Sequence, residues 1–161
     1  MKLEIFQVDA FTNKPFGGNP AAVVPLTEWL PAETMQSIAL ENNLSETAFF
    51  VPEGDEFGLR WFTPTFEIDL CGHATLATAH VIFEVIGTDE SVLKFRTKSG
   101  LLTVERDGGR LVMDFPVRPA TPVEAPVGRI AAIGREPREV LKARDYRLVY
   151  ESESDARAIS P

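Results

Sequence analysis

Asp69-Leu-Cys-Gly-His-Ala-Thr-Leu-Ala-Thr-Ala-His-Val-Ile-Phe-Glu-Val-Ile-Gly87 is the stretch whose reading decides the fold. Between Ala74 and Ile86 only Thr75, Thr78, His80 and Glu84 interrupt the apolar run, and they do not gather into the wide polar face of a surface helix. The pattern predicts a buried helix over residues 71–86, too short to cross a bilayer and long enough to be the axis of a domain. Strand-like segments flank it on both sides, so the economical arrangement is a curled, mostly antiparallel sheet wrapped around one central helix, an α+β fold. Cys71, Gly72 and His73 fall at the helix start, where the first backbone N–H groups lack partners and the helix dipole favours an anion. A thiol, a glycine and an imidazole there make a site candidate.

Working outward, residues 3–11 alternate as a strand and the glycine-bearing loop Asn13-Lys-Pro-Phe-Gly-Gly-Asn-Pro20 follows. Such a loop is either a turn between strands or a backbone that approaches a ligand closely, and on spacing alone the turn is the better reading. Residues 21–25 form a short apolar strand. Pro31 suits a first helical turn, Met35, Ile38 and Ala39 recur at helical spacing, and Asn43 is a C-terminal stop.

Next, Glu46 enters the apolar run Leu44-Ser45-Glu46-Thr47-Ala48-Phe49-Phe50-Val51. A carboxylate carried into a core finds donors or has its pKa raised towards the range of a general base, whereas one at a solvent-facing strand end does neither. On the residues alone the solvent-facing reading is preferred. Further strands are expected at residues 57–63, 92–97, 101–106 and 111–115, the last two joined through Asp107-Gly108-Gly109.

Domain boundaries follow from composition. Residues 1–116 read as one complete unit, and Pro116, Pro119, Pro122 and Pro126 mark an extended linker over 117–130. A short helix over 136–143, a strand over 146–150 and a helix start capped by Ser152 and Asp155 follow. Residues 131–161 hold too few large apolar side chains for a second core, so they are expected to be the beginning of an incomplete domain.

The 161-residue chain is 44% hydrophobic with a formal net charge of −8. Without a basic cluster, that charge argues against nucleic acid or an anionic membrane as partner and favours a small molecule or another protein. Its one cysteine forms no internal disulfide, and Met1-Lys2-Leu3-Glu4 runs straight into a strand pattern without signal-peptide features, so a cytoplasmic location is expected. His80 and Glu84, one turn apart, are expected to satisfy each other, with no third ligand to make a metal site.

Several stretches, in order and spacing, resemble the PhzF-like family of phenazine-biosynthesis proteins: Phe6-Gln-Val-Asp-Ala-Phe11, Phe16-Gly-Gly-Asn-Pro-Ala-Ala-Val23, Asn43-Leu-Ser-Glu-Thr-Ala-Phe49, Trp61-Phe-Thr-Pro64 and Asp69-Leu-Cys-Gly-His-Ala-Thr75. The resemblance is specific over residues 3–116 and weaker beyond. It implies two similar lobes of the diaminopimelate epimerase type, each a sheet around a helix, with the site between them; here the chain would stop just inside the second lobe.

The resemblance also implies a cofactor-independent isomerase that moves a proton on a small carboxylate-bearing substrate, and a homodimer. Glu46 matches the family's proton-shuttling glutamate, which reverses the weighing above in favour of a general acid/base. His73 matches a histidine that polarises or protonates the substrate. Asn19, Ser45, Cys71 and Gly72 would line the substrate site, with backbone N–H groups near Gly72 and His73 holding the carboxylate. Asp69 is expected to cap the helix. Two other readings stay open: a non-catalytic binding or assembly module retaining half of the fold, and an epimerase or racemase acting through Cys71, whose thiol pKa the helix end would lower.

Overall fold

The structure, a computed structural model, describes residues 2–126 and 128–159. Two compact units divide the chain, Met1–Phe115 and Pro116–Pro161.

In the first unit eight strands form one sheet: β1 (Phe6–Ala10), β2 (Asn19–Pro25), β3 (Glu46–Glu53), β4 (Glu56–Phe62), β5 (Glu67–Ile68), β6 (Val92–Thr97), β7 (Gly100–Asp107) and β8 (Arg110–Asp114). Their order is β1-β2-β3-β4-β6-β7-β8, with β5 as a short addition on β4. Neighbours run antiparallel except β2 with β3 and β4 with β6. Two helical segments complete the unit, α1 (Ala32–Asn42) and α2 (Gly72–His80), the latter continuing through a π-helical stretch, Val81–Gly87.

The two-residue period of the strands sorts their side chains onto two faces. Val23, Phe50, Trp61, Phe95 and Val104 face inward onto Ala74, Ala77, Val81 and Phe83. Their immediate neighbours Val24, Phe49 and Phe62 face outward onto Met35 and Ala39 of α1. This explains why β3 and β4 read as continuous apolar runs: both of their faces are covered. α1 ends where Asn43 takes a left-handed conformation with φ 50°, as its sequence position suggests. The β7–β8 hairpin turns through Gly108 and Gly109, whose φ values of 52° and 82° suit the turn type that matches strand twist.

The central helix is buried as expected, with two differences. Its interior hydroxyls are satisfied locally: Thr75 Oγ1 donates to the Cys71 carbonyl at 2.6 Å and Thr78 Oγ1 to the Ala74 carbonyl at 2.7 Å, so these residues cost the core little. After His80 the winding loosens to π and the end emerges, leaving Val85 and Ile86 each 54% exposed. Here Arg106 lies over the Phe83 ring, donates to the Phe83 carbonyl at 2.7 Å and reaches Glu84 Oε1 at 3.1 Å. The expected pairing of His80 with Glu84 therefore does not occur: a guanidinium from a neighbouring strand outcompetes an imidazole for the carboxylate.

In the second unit β9 (Thr121–Pro122), β10 (Glu139–Lys142) and β11 (Tyr146–Val149) form a three-stranded sheet beside α3 (Arg129–Ile133) and α4 (Glu153–Arg157). The helix expected over 136–143 is instead strand β10, because hairpin pairing with β11 overrides its weak helical preference, and the expected linker contributes β9. Ser152 caps α4, its hydroxyl accepting from the Asp155 N–H at 3.2 Å. Among the described residues beyond Phe115 none is fully buried.

Because Ala74 is wholly buried between helix and sheet, Ala74→Leu is expected to lower stability by about 1–3 kcal/mol in urea unfolding. Truncating the exposed Leu40 to alanine should change it by less than about 0.5 kcal/mol.

Candidate active site

Three segments converge at the N-terminal end of α2. Glu46 is the first residue of β3, and the parallel pairing with β2 sets Ala21 opposite it. That register draws the end of the glycine loop, Asn19 and Pro20, to the same place, and the Pro20 carbonyl reaches the His73 ring. The loop needs glycine at position 18: φ is +71°, and a Cβ would lie 2.1 Å from the Ala10 carbonyl oxygen. Cys71 occupies the N-cap position of α2 in extended conformation, and His73 follows in the first turn.

His73 stands between the other two reactive groups. Its Nδ1 lies 3.5 Å from Cys71 Sγ and its Nε2 lies 3.1 Å from Glu46 Oε2. The second separation is that of an ion pair, and it is not a hydrogen bond. Both Nε2 and Oε2 are consequently buried without a hydrogen-bonding partner. The His73 side chain is 9% exposed and that of Glu46 17%, so a small opening on the carboxylate side leads to the pair.

Burial governs the protonation states here. It is the main cause that pushes the Cys71 thiol up to about 12; the nearby Glu46 charge adds to it, and the main-chain N–H groups of Ala74 and His73 oppose it. The expectation that the helix end would activate this thiol is thus corrected, since desolvation outweighs the helix start. Burial also lowers the His73 pKa from its ordinary 6.5, against the opposing pull of Glu46 and the Pro20 carbonyl. Near neutral pH the imidazole is therefore uncharged and carries one N–H.

Of the remaining residues singled out from the sequence, Gly72 is half-buried at the helix start, Asn19 opens β2 opposite Ala10, and Ser45 is exposed directly before Glu46. Asp69 does not cap α2. It is exposed two residues ahead of the N-cap, and its carbonyl accepts from Ser99 Oγ at 2.9 Å. Met113 and Phe115 emerge as site-lining residues that the sequence did not mark. Their side chains come within 4.0 Å of the point where a Cβ on Gly72 would stand. Alternation along β8 is the only signal that could have turned Met113 to this face. A separate cavity of about 850 Å³ runs along β1, the loop after it and Leu76, Ala77 and His80, and its lining includes none of Glu46, Cys71 and His73. Glu46, Cys71 and His73 are thus at the helix start and not in that hollow.

The half-barrel sheet around a buried helix is a fold this chain shares with solved relatives. The chain belongs to the phenazine biosynthesis-like (PhzC-PhzF) family, whose profile matches residues 8–143. Over all 161 residues it is 52% identical to a Pseudomonas aeruginosa protein named as an uncharacterized isomerase, covering 62% of that protein's length. The crystal structure of a PhzF family protein from Enterococcus faecalis superposes with a TM-score of 0.91 at 45% identity, over 100% of this chain and 62% of that one. A predicted epimerase from Pseudomonas aeruginosa shares the fold, with a TM-score of 0.71 at 22% identity over 91% of this chain and 58% of that one. Among the described residues no helix is long and apolar enough to cross a membrane.

Two measurements check these electrostatics. With so little thiolate present, Cys71 should resist iodoacetamide at pH 8 in the folded chain and react on unfolding, while Glu46→Gln, which removes a raising cause, should speed native alkylation. Because the folded-state pKa of His73 is depressed, the unfolded chain binds more protons in the window below 6.5. Stability from this group is complete above pH 6.5 and is lost as pH falls through that window. Denaturation against pH should show that slope reduced in His73→Gln.

Proposed function

We propose that this chain carries the acid/base centre of a cofactor-independent isomerase that moves a proton between carbons of a small carboxylate-bearing substrate, with Glu46 as the general acid/base. The observation that carries the reading is the pair of buried, uncommitted atoms, Glu46 Oε2 and His73 Nε2, held 3.1 Å apart at the start of α2. Buried polar atoms without partners are costly, and a substrate that accepts or donates there removes the cost.

In this reading the substrate carboxylate sits against the first-turn N–H groups of α2, assisted by Asn19 and Ser45, while Cys71 and Gly72 line the site. Glu46 takes a proton from an acidic C–H, the electron pair moves through the adjacent double bond, and the carboxyl group, exchanging its proton with solvent, delivers a proton at another carbon. His73, neutral and with an N–H to donate, polarises the substrate as charge develops. Met113 and Phe115 supply an apolar wall. A homodimer belongs to the proposal on the family resemblance alone. Relatives named as isomerases support the general class. Epimerisation through a Cys71 thiolate is disfavoured by the thiol's position near 12.

The test is incubation of the chain in D₂O with small unsaturated cyclic carboxylates, a dihydro-hydroxyanthranilate among them, followed by NMR. Deuterium should enter the substrate, and Glu46→Gln should slow its entry by roughly 10²–10⁴-fold, the usual contribution of a general acid/base. Undiminished exchange in that variant removes Glu46 from the role. Binding without exchange in the unaltered chain would favour a non-catalytic binding module.

A further inference from the structure

We propose that Cys71 is a positioning residue for His73: its thiol donates to Nδ1 and so fixes the imidazole proton on Nε2, the nitrogen that faces Glu46. The contact stands on geometry, and its use rests on the isomerase reading. Cys71 Sγ lies 3.5 Å from Nδ1, within reach of a thiol donor, whereas Glu46 Oε2 lies 3.1 Å from Nε2 on the opposite edge of the ring. A neutral imidazole has one N–H and one lone pair, and the hydrogen bond made at one nitrogen decides which of them the other carries. The thiol itself is held in place. Main-chain N–H groups of Ala74 and His73 face its sulfur, and Thr75 Oγ1 donates to the Cys71 carbonyl at 2.6 Å. Among the described residues its side chain has no hydrogen-bonding partner other than Nδ1.

Two arguments give this contact a task. A bare Nε2 would set its lone pair against the Glu46 carboxylate, two acceptors 3.1 Å apart in a buried place. It would also leave no donor towards the opening beside Glu46, whose side chain is 17% exposed. Glu46 cannot guard the tautomer itself, because in the isomerase cycle it gains and loses a proton. While protonated it would pass that proton to a bare Nε2 instead of to the substrate carbon. A donor at Nδ1 that keeps its own proton closes this path, and burial, which pushes the Cys71 thiol up to about 12, makes it keep that proton. A thiolate would do the reverse, accepting from Nδ1–H and stripping Nε2. The buried, unpartnered Nε2 is thus a donor held for substrate.

Spectra of the full chain test this without any substrate. Cys71 is the only cysteine, so the Raman S–H stretch in H₂O belongs to it alone. Hydrogen bonding should shift that band to low frequency, and His73→Phe should raise it to that of a free thiol. Above pH 6.5, ¹⁵N spectra should show His73 protonated at Nε2, with Nδ1 displaced as an accepting nitrogen. Cys71→Ala should abolish that displacement or move the proton to Nδ1, and Cys71→Ser, whose hydroxyl also donates, should keep it. A free-thiol band in the unaltered chain, a proton on Nδ1 there, or a His73 signature indifferent to Cys71→Ala would overturn the inference. Deuterium exchange is a separate readout: Cys71→Ala should lower kcat by roughly 3–10-fold, about the worth of one hydrogen bond, with KM little changed, and Cys71→Ser should restore it. A kcat unchanged by Cys71→Ala would overturn the positioning role. If the unaltered chain exchanges nothing, the isomerase reading fails while the spectra still decide the tautomer.

Discussion

Room for α2 inside the curled sheet exists because Ala74, Ala77 and Ala79 are as small as they are, each at most 1% exposed. Their methyl groups let the helix approach β2 and β3 closely, while Phe50, Trp61 and Phe95 fill the space around it. Everything at the site inherits that closeness. The helix start cannot withdraw from Glu46 without opening the densest part of the core, so His73 stays beside the carboxylate even though no hydrogen bond holds it there. Packing, and not polar attraction, sets the geometry of the reactive groups.

Dehydration then divides the labour among them. The same burial that leaves the thiol inert keeps the imidazole neutral, since charging either group in this environment is unfavourable whichever sign results. Glu46, on a strand end with more exposure than its neighbours, is the group best placed to meet a ligand entering from outside. One helix terminus therefore carries a thiol placed like a reactive group, whose burial holds it protonated.

The central helix and the strand segments up to Phe115, apart from β5, were legible because they rest on periodicity, glycine turns and local motifs, whereas Glu46 and His73 were singled out by a family resemblance and not by periodicity. Asn43 as a helix stop and Ser152 as a helix start are short-range signals, and the structure shows both. What sequence did not reveal depends on partners distant in the chain. The π-helical end is held by Arg106, 22 residues beyond Glu84. The strand character of Glu139–Lys142 follows from pairing with Tyr146–Val149. The protonation of Cys71 depends on how completely the surrounding core excludes water, which no local pattern encodes. Met113 and Phe115 reach Gly72 only because β8 folds back over the helix start.

Parallel pairing of β2 with β3 has a consequence for how the chain folds. Antiparallel neighbours can zip from a turn, but β3 can join β2 only after the chain has passed through α1 and returned. Such closure is slow relative to hairpin formation. Glu46 enters its place at the first rung of that ladder, and His73 must wait for β4, β5 and the helix after them. A chain caught partway thus exposes Phe49 and Phe50 before Glu46 and His73 have met. Its bare apolar strands stay open to association with other chains until α2 packs against them.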